Sequence, residues 1–251
     1  MTVLTAVSRA SLKVYTRDVA AIFFSFAFPL IFLVIFGLVF GRMEVAETGN
    51  TAVDFIAPGV LSWGMANAAV FGIAFTLMQW RKDDLLRLIR LTPARIIDLV
   101  LARFVVALII ALLQGVLFIG VAILPPFGMT IDAHWPLALP ILVLAVTAFL
   151  SLGLIIGIVA KTPESVAAIA NIVMIPMAFL SGSFVPLALM PEWLRAFSYA
   201  LPLRYVGDGM VYAFAGEGGA GTYGIACLAL AGFTVVFTAI GLRIFKWSND
   251  E

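Results

Sequence analysis

The chain has 251 residues, of which 63% are hydrophobic and 12% charged, and its formal net charge is +1. Soluble domains average about 45–50% apolar and ~25% charged residues, so this apolar excess does not fit one water-facing core, and lipid is its natural solvent. The near-neutral balance excludes a basic field for nucleic acid; the single cysteine, Cys227, excludes a disulfide framework within the chain, and the single histidine, His134, excludes a His-rich metal cluster.

The first 18 residues place Arg9, Lys13 and Arg17 four residues apart, which makes one basic stripe on a helix, while Leu4, Val7, Leu12, Val14 and Tyr15 fill much of the remaining surface. That pattern suits an amphipathic helix on the inner leaflet, and it also suits a basic flank that only sets topology. A signal peptide is the poorer reading, because the apolar run that follows is too long for a signal core and no clean small-residue cleavage site ends it.

A spanning helix needs ~20 mostly apolar residues. Six segments meet that length: 19–40, 55–78, 99–124, 136–160, 165–185 and 223–242. An even number of spans puts both termini on one side. With them lie Arg9, Lys13, Arg17, Arg81, Lys82, Arg87, Arg90, Arg95, Arg103, Lys161, Arg243 and Lys246, against Arg42, Arg195 and Arg204 opposite. Twelve cations against three make the termini cytoplasmic by the positive-inside rule. The expectation is a single all-α membrane domain over 1–251 in a bacterial inner membrane.

The polar residues inside the spans are neutral: Asn67, Gln114, Thr147, Ser151 and Asn171. Hydrogen bonds between helices account for such residues. Lining of a transport route accounts for Asn67 and Asn171 equally, and with Phe71, Met174 and Phe179 these form the candidate substrate path. A proton- or ion-coupled carrier buries Asp, Glu or Lys at mid-depth to do its coupling. None stands there, so transport energy has to come from a partner. Gly37-x-x-x-Gly41 and Gly153-x-x-x-Gly157 are weak signals of close helix packing, since such spacings arise by chance in a glycine-rich chain.

No Gly-x-x-x-x-Gly-Lys-Ser/Thr loop, His-Glu-x-x-His pair or Gly-x-Ser-x-Gly elbow occurs, so no P-loop ATP site, zinc-protease site or hydrolase nucleophile is written into the chain. The expectation is a protein that is not itself an enzyme and holds neither metal nor cofactor.

The segment 79–95, between the second and third spans, is the most informative. On a helix Leu85, Leu86, Leu88 and Ile89 share one side, while Asp83, Arg87 and Arg90 share the other, with Asp83 and Arg87 spaced for a pair. Thr92-Pro93 reads as an N-cap and first-turn proline of the next helix. A helix with an apolar ridge and basic flank either rests at the headgroups or docks in a groove of a cytoplasmic partner. Arg81, Asp83, Asp84, Leu85, Leu86, Arg87, Leu88, Ile89 and Arg90 are the candidate docking residues.

Between the fifth and sixth spans, Pro186, Pro191 and Pro202 interrupt the chain and Gly216, Gly218, Gly219 and Gly221 end the interruption. Irregular backbone at membrane depth is tolerated only when buried in protein or lining water. Two short re-entrant or interfacial helices forming an outer cap satisfy that constraint, with Phe184, Trp193, Tyr199 and Tyr205 as its candidate residues. Aromatic residues also favour the interface for their mixed polarity alone.

The order of motifs resembles the permease subunits of type-2 ABC exporters. Phe55-Ile56-Ala57-Pro58-Gly59, the charged segment ending Leu88-Ile89-Arg90-Leu91-Thr92-Pro93, Phe179-Leu180-Ser181-Gly182-Ser183-Phe184-Val185-Pro186, Met190-Pro191-Glu192-Trp193-Leu194 and Leu201-Pro202-Leu203 carry it over nearly the whole chain. Asp83-Asp84 stands where the family commonly has Glu and Gly, a departure at the turn. The resemblance implies a six-span half that pairs with a second permease, identical or homologous, and with two copies of a cytoplasmic ATPase that binds ATP and Mg. It implies that the 79–95 segment touches that ATPase, while an aromatic- and Met-containing interior without buried charges suits an amphiphilic or lipophilic cargo, whether drug, antibiotic or lipid. Export of a polysaccharide or glycolipid remains open within the family, as does a scaffold without transport.

Overall fold

The computed structural model describes residues 3–40, 43, 51–85, 96–125, 127–184, 187 and 190–245. All regular elements among them are helices: α1 (Val3–Tyr15), α2 (Val19–Ile22), a π-turn (Phe23–Ala27), α3 (Phe28–Phe40), α4 (Ala52–Lys82), α5 (Ile96–Ala122), a 3₁₀ turn (Trp135–Leu137), α6 (Ala138–Val159), α7 (Pro163–Leu180), α8 (Glu192–Ser198), α9 (Pro202–Ala215) and α10 (Gly219–Ile244). Six segments are long and apolar enough to cross a membrane: Phe23–Phe40, Ala52–Lys82, Ile97–Ala122, Trp135–Val159, Pro163–Leu180 and Gly219–Ile244. They coincide with the six expected from the sequence, with ends shifted by a few residues.

Helices α4 and α6 form the centre. Of their most apolar windows 67% and 72% are buried, against 17% for the first and last spans, which leaves those two for lipid or another chain. The seam between the central pair depends on Gly153 and Gly157. A Cβ on Gly153 would lie 2.6 Å from the Val70 carbonyl oxygen, and one on Gly157 2.8 Å from that of Ala74. The weak Gly-x-x-x-Gly signal in this helix is therefore the contact that lets two backbones approach. Gly41 of the other such spacing lies outside the described residues.

Local chemistry sets the helix ends. The Asp54 carboxylate accepts from the Thr51 backbone N–H at 2.8 Å and from its hydroxyl at 2.8 Å, capping α4. Its other oxygen accepts the Thr130 N–H at 2.9 Å, which ties the start of α4 to the α5–α6 connection. At α7, the Thr162 side chain accepts the Ser165 N–H at 3.2 Å, while the Ser165 hydroxyl oxygen accepts the Thr162 N–H at 3.0 Å; Pro163 opens the helix. The π-turn stands just before Pro29. In an α-helical register the Ser25 carbonyl would accept from residue 29, and proline has no N–H to give. Gln114 of α5 supplies the donor instead, at 2.6 Å.

The interrupted segment after α7 folds into α8 and α9. Helix α9 begins at Pro202, ends at Gly216 with φ +71°, and packs against α4, α6 and α10. It buries Leu203, Val206, Met210, Ala213 and Phe214. It is a short helix wedged into the bundle.

Candidate functional site

Three groups of side chains deserve the functional question: the root of the α4–α5 connection, the uncovered faces of α4 and α7, and the α8–α9 region at the opposite end of the bundle.

Helix α4 runs through Lys82, so Gln79–Lys82 close the second span and do not begin a separate surface helix. Gln79 Nε2 donates to the Asp83 carboxylate at 2.7 Å, and Asp84 takes φ +53°. Asp tolerates that left-handed conformation better than most residues, but it breaks the helix. Of the segment 79–95 expected to hold a short amphipathic helix, Gln79–Lys82 belong to α4 instead, and Asp83 bonds back to Gln79. Leu86, Arg87, Leu88, Ile89 and Arg90 lie outside the described residues. Leu85 is 36% exposed. The root itself is firmly held. The Arg81 guanidinium is buried and donates to the Ile158 carbonyl at the end of α6. Leu77 and Ile158 pack together with Trp80, Leu154 and Phe245 around them, and Arg103 of α5 sits over the Trp80 ring at 5.6 Å. The root of the connection therefore joins α4, α5 and α6.

The candidate path residues divide. Asn171 is exposed, Phe179 is 46% exposed, and Ile175 between them is 48% exposed, so positions 171, 175 and 179 make one open stripe on α7. On α4, Asn67 and Phe71 are half-buried, and Phe71 stacks on Phe75 at 5.9 Å. Asn67 Nδ2 is turned back to the Trp63 carbonyl at 3.1 Å. Met174 departs from the expectation: it is fully buried, because its face of α7 packs into the protomer core, and it cannot line an open path there.

Phe184 lies at the hub of an aromatic cluster, stacked on Phe32 at 5.3 Å and set against Trp63 at 5.1 Å, Phe179 at 5.5 Å and Phe36 at 5.8 Å. It joins α3, α4 and α7. Gly59 permits this, because a Cβ there would lie 2.4 Å from the Ser183 carbonyl oxygen. Trp63, Phe32 and Phe36 were not singled out from the sequence. Aromatic residues four apart in the first span were the available signal.

In α8–α9, Trp193 and Tyr199 are exposed, and the Tyr205 hydroxyl donates to the Tyr199 carbonyl at 2.8 Å. The buried Arg204 organises the region. Its guanidinium lies over the Tyr199 ring at 3.8 Å, donates to the Arg195 carbonyl at 3.3 Å and to the Ser198 hydroxyl, and pairs with Asp208 at 3.4 Å. Burial raises the Asp208 carboxyl above its ordinary pKa, and the adjacent Arg204 charge pulls it back down. Sequence reading placed Arg204 only as a topology marker and passed over Asp208. Their i,i+4 spacing was the signal.

Among the described residues no group of three or more His, Cys, Asp or Glu side chains comes together. The chain matches the ABC-2 type transporter family over residues 2–215. It is 24% identical to the inner membrane transport permease YadH of Escherichia coli over 197 residues, covering 75% of this chain and 74% of the relative. It is 27% identical to the daunorubicin resistance ABC transporter permease protein DrrB1 of Streptomyces coeruleorubidus over 243 residues, covering 88% and 78%. It is 29% identical to nodulation protein J of Rhizobium meliloti over 187 residues, covering 74% and 71%. With the match extending from α1 through α9, this chain belongs to the ABC-2 type transporter family, as a multi-pass permease whose ATPase is a separate subunit.

Proposed function

We propose that this chain is one half of the membrane pathway of an ATP-driven exporter, and that two such halves enclose the route. The observation that carries this is the open stripe of Asn171, Ile175 and Phe179 on α7, a helix that packs against α4 with its half-buried Asn67 and Phe71. An amide-and-aromatic surface left uncovered by its own protomer and free of charge suits an amphiphilic or lipophilic cargo, and the daunorubicin-resistance relative supports that class. The second half is identical or homologous.

In this reading both termini are cytoplasmic, α1 lies on the inner leaflet, and α8–α9 form a re-entrant outer cap. The connection after Asp84 docks on the ATPase, of which two copies bind ATP and Mg. Closure of the ATPases pushes the docking segments, and the clamp of Arg81 on α6 passes the push into the central pair. The two access states must differ in cargo affinity, since equal affinity would make ATP cycling move nothing.

The test is co-purification with a candidate ATPase, comparing the natural chain with Leu85→Asp plus Leu88→Asp. Normal insertion with lost ATPase association, or lost cargo-stimulated hydrolysis, is expected. Unchanged association and transport would sink the docking role. Crosslinking of Asn171→Cys between two copies checks the paired halves, and a panel of drugs, lipids and glycans identifies the cargo.

A further inference from the structure

A cavity of about 30 Å³ lies between α1, α4, α5 and α6, with Tyr15, Ala68, Gly72, Arg103, Val106 and Ile110 among its walls. That volume holds about two water-sized groups. It exists because its α4 wall is made of small residues: a Cβ on Gly72 would meet no atom within 4 Å. Two polar atoms at this cavity are buried and without a hydrogen-bond partner among the described residues, the Tyr15 hydroxyl and Arg103 Nε.

Arg103 makes no salt bridge among the described residues, although it sits seven residues into α5, about 10 Å along the helix axis from Ile96. A helix of this length covers about 40 Å, the bilayer with its headgroup zones. Arg103 therefore stands where headgroups give way to hydrocarbon, and beyond the Trp80 ring 5.6 Å away no described group offsets its charge. The nearby acids are committed: Asp18 accepts the Ala21 N–H at 2.9 Å, and Asp98 has its own partner. The Ser25 side chain and the Asp18 carboxylate stand near the Tyr15 phenol, but its O–H and the Arg103 Nε–H make no hydrogen bond among the described residues, and two such donors at one small cavity define a site for an oxyanion. Val106 and Ile110 follow Arg103 on the same face of α5 and give it an apolar floor.

We propose that this cavity seats the phosphate of an anionic phospholipid of the leaflet in which α1 lies. Arg103 and Tyr15 donate to the two free phosphate oxygens, and the first acyl carbons run against Val106 and Ile110. The exposed Arg9 and Lys13 of α1 and Arg17 just after it favour an anionic over a zwitterionic head. The site is separate from the transport stripe on α7 and rests on the functional reading only for its assignment to the cytoplasmic leaflet. Its failure would leave the exporter reading untouched.

The experiment uses the full chain in bilayers of equal phosphatidylglycerol and phosphatidylcholine, extracted gently and weighed by native mass spectrometry. One phosphatidylglycerol per protomer, resistant to 0.5 M salt, is expected. Arg103→Gln and Tyr15→Phe should each lower its occupancy roughly tenfold or more, since each removes a hydrogen bond to a charged group. Arg103→Lys should retain part of it, and Arg9→Gln should change only the salt-sensitive fraction. Should Arg103→Gln not insert, the isosteric Tyr15→Phe decides alone. Equal retention by Tyr15→Phe and the natural chain, complete loss from the natural chain at high salt, equal retention of phosphatidylcholine, or displacement by inorganic phosphate would each overturn the proposal.

Discussion

The Gln114 side-chain amide donates to the Ser25 carbonyl at 2.6 Å, linking the third span to the first at the one place where the first leaves α-helical register. Gln114 is fully buried, and its own Oε1 has no partner among the described residues, so its contribution is the donor. Pro29 explains the link, because it withholds the N–H that Ser25 would use in an α-helix. Gln114→Leu should therefore lower stability by about 1 kcal/mol, near the average for bonds between membrane helices and below the full cost of an orphaned carbonyl. In a Pro29→Ala background residue 29 regains its N–H, and the same change should cost less than half as much. Thermal unfolding of the four variants in detergent measures this coupling; additive losses would reject it.

The α4–α6 seam predicts a sharp contrast among glycines. Gly153→Val would drive a side chain into the Val70 backbone and should cost about 1–3 kcal/mol or more, with reduced yield of folded protein. Gly115→Ala, with nothing within 4 Å of the new methyl, should be neutral or stabilise by up to ~1 kcal/mol. Detergent unfolding of the two variants checks both.

The Arg204–Asp208 pair makes stability depend on pH in a defined direction. A carboxyl whose folded pKa is raised binds its proton more tightly in the native protein, so stability falls as pH rises from the unfolded to the folded pKa and is level above. Arg204 limits that fall. Arg204→Met should destabilise by about 3–5 kcal/mol with Asp208 ionised, and its Tm should drop more steeply than that of the natural chain above about pH 4. Adding Asp208→Asn should abolish the extra slope while leaving the loss of the Ser198 and Tyr199 contacts.

In the proposed mechanism Arg81 should separate association from coupling. Its guanidinium is buried and bonds to the Ile158 carbonyl at the end of α6. Arg81→Met should preserve insertion and ATPase association, cost about 1.5–3 kcal/mol of stability, and weaken the stimulation of hydrolysis by cargo. Equal stimulation at matched expression would show that the clamp transmits nothing.

Much of the architecture was legible because it depends on properties of single segments. Pro163 and the Thr162–Ser165 exchange start α7 by local chemistry, and Pro202 and Gly216 bound α9 in the same way. The candidate site was legible in part. Asn171 and Phe179 fall on one open stripe, while Met174, three residues from Asn171, faces the core. Its side was not readable because, past its first turn, α7 carries a single polar residue, Asn171, which is a weak marker of rotation.

By itself the sequence determined the number of spans and the charge asymmetry of their ends, since the bilayer acts on each segment's length and polarity separately. Only the tertiary structure decided which glycines are contacts, that Phe184 is an aromatic hub, that Arg204 meets Asp208 beneath Tyr199, and that Gln114 serves the carbonyl Pro29 leaves free. Each of these depends on the rotation and approach of two helices, a relation between segments that neither contains alone.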